Sequence, residues 1–227
     1  MRLISTADDE LYGLASTAGK FGRADKLLAR LDVSRSADPP DGDAALRYGL
    51  AQMAVLPSIG VEFAAHARFT DTVAALGDAL SLDPDNWLAR YGRARLRALI
   101  PSSYGAYAVQ LTGELAQAAE DLDHLIAAQS GCAPEPYFVS AHALAAVIDR
   151  LAGTAPSAGR PPLSDALAAC PRVPVRFRAL GAVLCEPLAT LHAEADGAER
   201  ELLGEVLRTV YGHQVTVDGV RRQPAGR

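Results

Sequence analysis

Two stretches of this chain read as copies of one helix. Arg47-Tyr48-Gly49-Leu50-Ala51 and Arg90-Tyr91-Gly92-Arg93-Ala94 lie 43 residues apart, and the match runs on through Ala54-Val55-Leu56-Pro57-Ser58 and Ala98-Leu99-Ile100-Pro101-Ser102. Internal repetition constrains a fold more than any single motif does. A repeated unit of this size is a supersecondary piece that cannot bury its apolar face alone, so neighbouring units must stack. The expectation is an all-α chain of helix pairs.

Helical periodicity runs through most of the sequence. Thr6-Ala7-Asp8-Asp9 fits a capping box at the start of a helix over about 7–18. Gly19 and Gly22 bracket a turn, and Leu27, Leu28 and Leu31 mark the return helix. Asp43 suits the cap of the helix that carries the first copy and ends near Leu56. Phe69, Val73, Leu76 and Leu80 follow at helical spacing. Asp83-Pro84-Asp85-Asn86 makes the next turn, and the second copy spans about 86–100. The most amphipathic segment places Leu111, Leu115, Ala118, Leu122 and Leu125 on one face, with Glu114, Gln117, Asp121 and His124 elsewhere. A helix over 134–151 precedes a Pro/Gly-rich stretch. Beyond it, shorter helices are expected at 164–169, 175–184, 188–195 and 198–211, and 214–220 reads as a short strand or hairpin. The predicted organisation is a repeat array over 1–152, a linker over 153–162, a helical cap over 163–212 and a tail over 213–227.

Ala79-Leu80-Ser81-Leu82-Asp83-Pro84-Asp85-Asn86, followed by Ala89, Tyr91 and Ala94, resembles the junction between successive tetratricopeptide repeats. The resemblance covers about 16 residues directly, and the helix pairs over 43–151 agree with it less strictly. The unit differs from the family's usual 34 residues, because the spacing is 43 at Tyr48 and Tyr91, 44 at Pro57 and Pro101, and 45 at Gly60 and Gly105. An inserted Pro-Ser loop, continuing as Ile59-Gly60 or Tyr104-Gly105, accounts for the excess. The resemblance implies antiparallel helix pairs stacked as a tetratricopeptide-like (TPR-like) α-solenoid with a C-terminal helical cap. It also implies a concave face lined by the first helix of each pair and a peptide or protein as ligand.

A chain of 227 residues, 49% of them hydrophobic and 22% charged, suffices for a substantial core. The formal charge of −5 argues against nucleic acid as partner, since phosphate neutralisation needs a basic surface. Asp8-Asp9-Glu10 follows the first residues too closely for a secretory signal, and no stretch is apolar for long enough to span a membrane. Cys132, Cys170 and Cys185 are odd in number and form no CxxC, which fits reduced thiols and a cytoplasmic location.

Arg90, Arg93 and Arg97 share one stripe of the second copy, and a row of guanidinium forks suits carboxylates. An acidic peptide in the groove is one expectation. Pairing with Glu114, Glu120, Asp121 or Asp123 is the other. Tyr48, Tyr91, Tyr104 and Tyr107 complete the candidate ligand-contacting set, and Phe63 also lies close to an inserted loop. Asp121, Asp123, His124, Cys132 and His142 gather potential metal ligands without zinc-site spacing. No nucleophile–base pair, phosphate loop or GxSxG motif is present, so the sequence predicts no catalytic residue, metal or cofactor. The favoured reading is a non-catalytic adaptor, chaperone or accessory subunit. Its competitor is an enzyme, or a small-molecule or metal-dependent accessory factor, with chemistry near the Pro-Ser loops and His124.

Overall fold

The computed structural model describes residues 1–58, 62–98 and 108–212. These form ten α-helices: α1 (Thr6–Lys20), α2 (Ala24–Arg35), α3 (Gly42–Val55), α4 (Glu62–Leu82), α5 (Trp87–Ala98), α6 (Ala108–Gln129), α7 (Val139–Ala152), α8 (Leu163–Ala169), α9 (Ala179–Glu194) and α10 (Gly197–Tyr211). Among the described residues there is no β-strand, only an isolated bridge in which Arg2 pairs with the backbone beside Asn86. No described helix is long and apolar enough to cross a membrane. The segments read as a strand and a tail, over 213–227, lie outside the described residues.

Most helices adjacent in sequence pack together, most extensively α3 on α4 and α5 on α6. Central among them is α3, whose residues from Ala44 to Val55 are all buried except Arg47. A helix apolar nearly all round needs neighbours on every side, and α1, α2, α4 and α5 supply them. Two glycines permit the close approach. A Cβ on Gly49 would lie 2.7 Å from Leu76 Cδ2, and one on Gly92 would touch Met53 Sδ at 3.4 Å. Leu76 on α4 thus packs against both glycines, where a side chain is lacking.

Several helix ends differ from the sequence expectation. The capping box at α1 lies one residue earlier, with Ser5 as N-cap: Asp8 N donates to Ser5 Oγ at 3.2 Å while Asp8 Oδ2 accepts from Ser5 N at 2.9 Å. That shift leaves Asp9 free for another role. Its carboxylate accepts from the backbone N–H groups of Arg178, Ala179 and Leu180 at 3.0, 2.8 and 2.7 Å, capping the distant helix α9. The helix expected from Pro134 begins at Val139, after a 3-10 turn over Pro136–Phe138.

The two helices expected at 175–184 and 188–195 are one continuous helix. Pro187 lies within α9, where its missing N–H should leave the carbonyl of Val183 unsatisfied. Tyr91 supplies a replacement donor, its hydroxyl pointing at Val183 O across 3.4 Å. Proline is accommodated because a neighbouring helix answers the freed group.

The C-terminal helices are joined to the rest along α9. It packs on α7 and α1, while α10 lies against α9 and α8. Leu180, Val183 and Leu184 enter the main apolar core of α1–α7, whereas Cys185, Leu188 and Leu191 enter a second core with α8 and α10. The Pro/Gly-rich stretch before α8 is anchored by Arg160, which is nearly buried between Asp123 at 2.7 Å and Asp149 at 2.5 Å.

Candidate binding pocket

The arginine stripe follows from the register of α5 against α6. Its three guanidinium groups converge on Asp121, which is only 3% exposed although the sequence pattern placed it off the buried face. Arg93 grips the carboxylate with both Nε, at 2.8 Å, and Nη2, at 2.6 Å. Arg90 Nη1 adds a bond at 3.2 Å and Arg97 Nη1 another at 3.3 Å. Arg97 also lies 2.9 Å from Glu114 Oε2, and Arg90 Nε donates to Pro84 O. Burial, and then the like charge of Arg93, hold the Arg97 pKa below its ordinary value. The stripe is therefore engaged within the chain, through two of the four carboxylates named from sequence.

Tyr91 is completely buried, stacked on Trp87 with ring centroids 4.8 Å apart. Tyr104, Tyr107 and most of the inserted Pro-Ser loops lie outside the described residues, as does the Phe63 side chain. His124 meets Asp85 at 3.1 Å and Asp123 meets Arg160. Among the described residues no three His, Cys, Asp or Glu side chains are grouped so as to hold a metal.

Tyr48 is the sequence candidate that borders a cavity. An open pocket of about 400 Å³ lies between α2, α3 and α4. Its floor is a connected polar network. The Tyr48 hydroxyl donates to Asp71 Oδ2 at 2.5 Å, and Gln52 Nε2 donates to the Tyr48 oxygen at 2.7 Å and to Asp71 at 2.9 Å. Arg68 Nη1 closes the chain on Gln52 Oε1 at 3.0 Å. Burial, followed by the bond to Asp71, raises the Tyr48 pKa, which keeps the phenol protonated as a donor.

Arg35 fixes Asp71 from the other side at 3.2 Å and reaches Asp78 at 3.0 Å, with its guanidinium 5.0 Å from the centre of the Tyr48 ring. Burial works against its charge, yet these two carboxylates carry its pKa upward. The wall opposite the floor comes from α2, where Asp25 and Asp32 stand seven residues apart with Leu28 and Ala29 between them. Asp25 meets Arg68 at 3.3 Å. The pocket thus combines an apolar patch, an aromatic hydroxyl, a locked amide and three carboxylates against one lining arginine.

No protein-family model, curated protein or solved structure matches the chain. Apart from Tyr48, the pocket residues were not singled out from sequence. One signal was available in the numbering. Asp71 and Asp78 stand 43 residues before Glu114 and Asp121, and each carboxylate pair clasps one guanidinium, Arg35 in the first and Arg97 in the second.

Proposed function

We propose that this chain is a non-catalytic binding module built from TPR-like helix pairs stacked as an α-solenoid, with a C-terminal helical cap. It acts as an adaptor, chaperone or accessory subunit by holding a peptide segment of a partner protein over the pocket bounded by α2, α3 and α4. The observation that carries this reading is the preformed floor of that pocket. Tyr48, Gln52 and Asp71 are fixed by mutual hydrogen bonds beneath an open cavity of about 400 Å³, and binding loses less entropy when the receiving groups are already ordered.

The repeat reading draws support from the second helices. Thr72, Ala75 and Ala79 are buried on α4, and Leu115, Ala118 and Leu122, each 43 residues later, are buried on α6. The acidic partner expected of the arginine stripe is not retained, since Asp121 and Glu114 already engage those groups.

Affinity purification from the native cell tests the function. The full chain should recover a stoichiometric protein partner, and Ala29→Trp, which fills the pocket from an exposed position on α2, should lose it. Undiminished recovery with the tryptophan variant, or no protein partner with the unaltered chain, would remove the reading.

A further inference from the structure

We infer that the pocket between α2, α3 and α4 receives a basic side chain, an arginine or lysine presented by the bound peptide. This rests on the reading of the chain as a peptide-binding module and specifies the chemistry of its ligand.

Three observations support a cation. The first is the charge balance: Asp25, Asp32 and Asp71 line the cavity against Arg68 alone. Including Arg35 and Asp78 just behind the floor, four carboxylates face two guanidinium groups. The second is how those charges are distributed. Asp71 is fully engaged by Arg35, Tyr48 and Gln52, and Asp25 holds Arg68, but the Asp32 carboxylate has no ion pair or hydrogen bond among the described residues. It borders the cavity about two turns along the same face of α2 from Asp25 and lies close enough to Tyr48 to raise the phenol's pKa.

The third observation is the apolar part of the lining. Leu28, Ala29 and Ala67 supply a small hydrocarbon surface next to the carboxylates. Lysine and arginine carry an aliphatic stem that packs on apolar surface and a charged head that seeks polar partners. A stem lying on Leu28 and Ala29 would deliver its head to Asp32 and Asp25, where the incoming cation shares Asp25 with Arg68. An acidic side chain entering the same space would meet carboxylates on both walls.

The test is fluorescence anisotropy on the full chain with three probes: a labelled oligo-arginine peptide, the matching oligo-glutamate peptide, and unlabelled spermine as competitor. The oligo-arginine peptide should bind. Asp32→Asn should weaken that binding about twofold to fivefold, the worth of an ion pair at an exposed position. Ala29→Trp should abolish it, whereas Glu201→Gln, which removes an equal charge from an exposed position on α10, should leave it unchanged.

Equal weakening by Asp32→Asn and Glu201→Gln would mean attraction to the overall negative charge and would overturn the inference. Preference for oligo-glutamate, lost in Ala29→Trp, would overturn the cation assignment while leaving peptide binding intact. Spermine binding that depends on Asp32, read by isothermal titration calorimetry with neither peptide bound, would identify a free amine as the cation's source and overturn both the peptide-borne side chain and the peptide-binding reading. Circular dichroism of each variant confirms that the exposed α2 substitutions leave the helices formed.

Discussion

Asp121 is a single buried carboxylate answering three guanidinium groups, and its removal leaves positive charges crowded together, with Glu114 beside Arg97 and the charge of Asp85 acting on Arg90. Breaking a buried pair from one side is costly because the other side stays desolvated and unpaired. Asp121→Asn should therefore lower stability by about 3–5 kcal/mol, measured by denaturant unfolding, and added salt should restore part of the loss by screening the arginines. A loss below about 1 kcal/mol, the range of exposed ion pairs, would show that the cluster is effectively solvated. His142 offers a second residue-level test. Burial, then the charge of Arg160, lowers its pKa from 6.5 to about 4, and its Nδ1 is buried without a hydrogen-bond partner. The unfolded chain takes up this proton near pH 6.5 and the folded chain only near 4. The stabilisation from keeping the imidazole neutral is thus complete above 6.5 and drains away as pH falls through that window. The melting temperature of the wild type should fall more steeply between pH 6.5 and 4 than that of His142→Gln. Parallel curves would contradict the assignment.

The helices themselves were the most legible level. Leu115, Ala118, Leu122 and Leu125 are buried together on α6, as their spacing demands, and Asn86 caps α5 through a bond from Ala89 N. Side-chain pairing between helices was not legible, because it depends on the rotation and register of one helix against another, which intrahelical periodicity does not encode. Asp121 therefore looked like a polar-face residue until α5 was set beside it. Likewise Pro187 reads locally as a helix break, and only the packing of α5 brings the Tyr91 hydroxyl to Val183 O. The pocket was hidden for the same reason, since Asp25 and Asp71 lie on different helices and come to line one cavity through packing alone. Helix–helix approach makes its own prediction. Gly49→Ala should gain at most about 1 kcal/mol of helix propensity but force Leu76 aside, for a net loss of about 1–2 kcal/mol. Gly113→Ala on α6, where an added Cβ would meet nothing within 4 Å, should instead be stabilising. The opposite signs in paired melts are the check, and equal signs would mean that α3 can move away from α4.

At the scale of the molecule, α9 ties the first helix to the last third of the chain. Asp9 holds three backbone N–H groups there, Tyr91 reaches Val183, and Arg95 pairs with Glu186. Asp9→Ala should cost about 1–2 kcal/mol, as for loss of a helix cap, and Asp9→Asn, which keeps an accepting oxygen, should cost less. Hydrogen exchange should show the loss of protection at the start of α9 as well as along α1. An effect confined to α1 would mean that the cap contributes nothing to docking. The same linkage sets a timetable for a nascent chain. As the protein leaves the ribosome, α1, α5 and α7 emerge before the helix that covers part of their apolar surface has been made. At cellular elongation rates the interval between the ends of α7 and α9 is on the order of 2 to 8 s. Throughout that interval the unfinished molecule exposes apolar surface that Leu180, Val183 and Leu184 will later cover, the kind of surface through which incomplete chains aggregate.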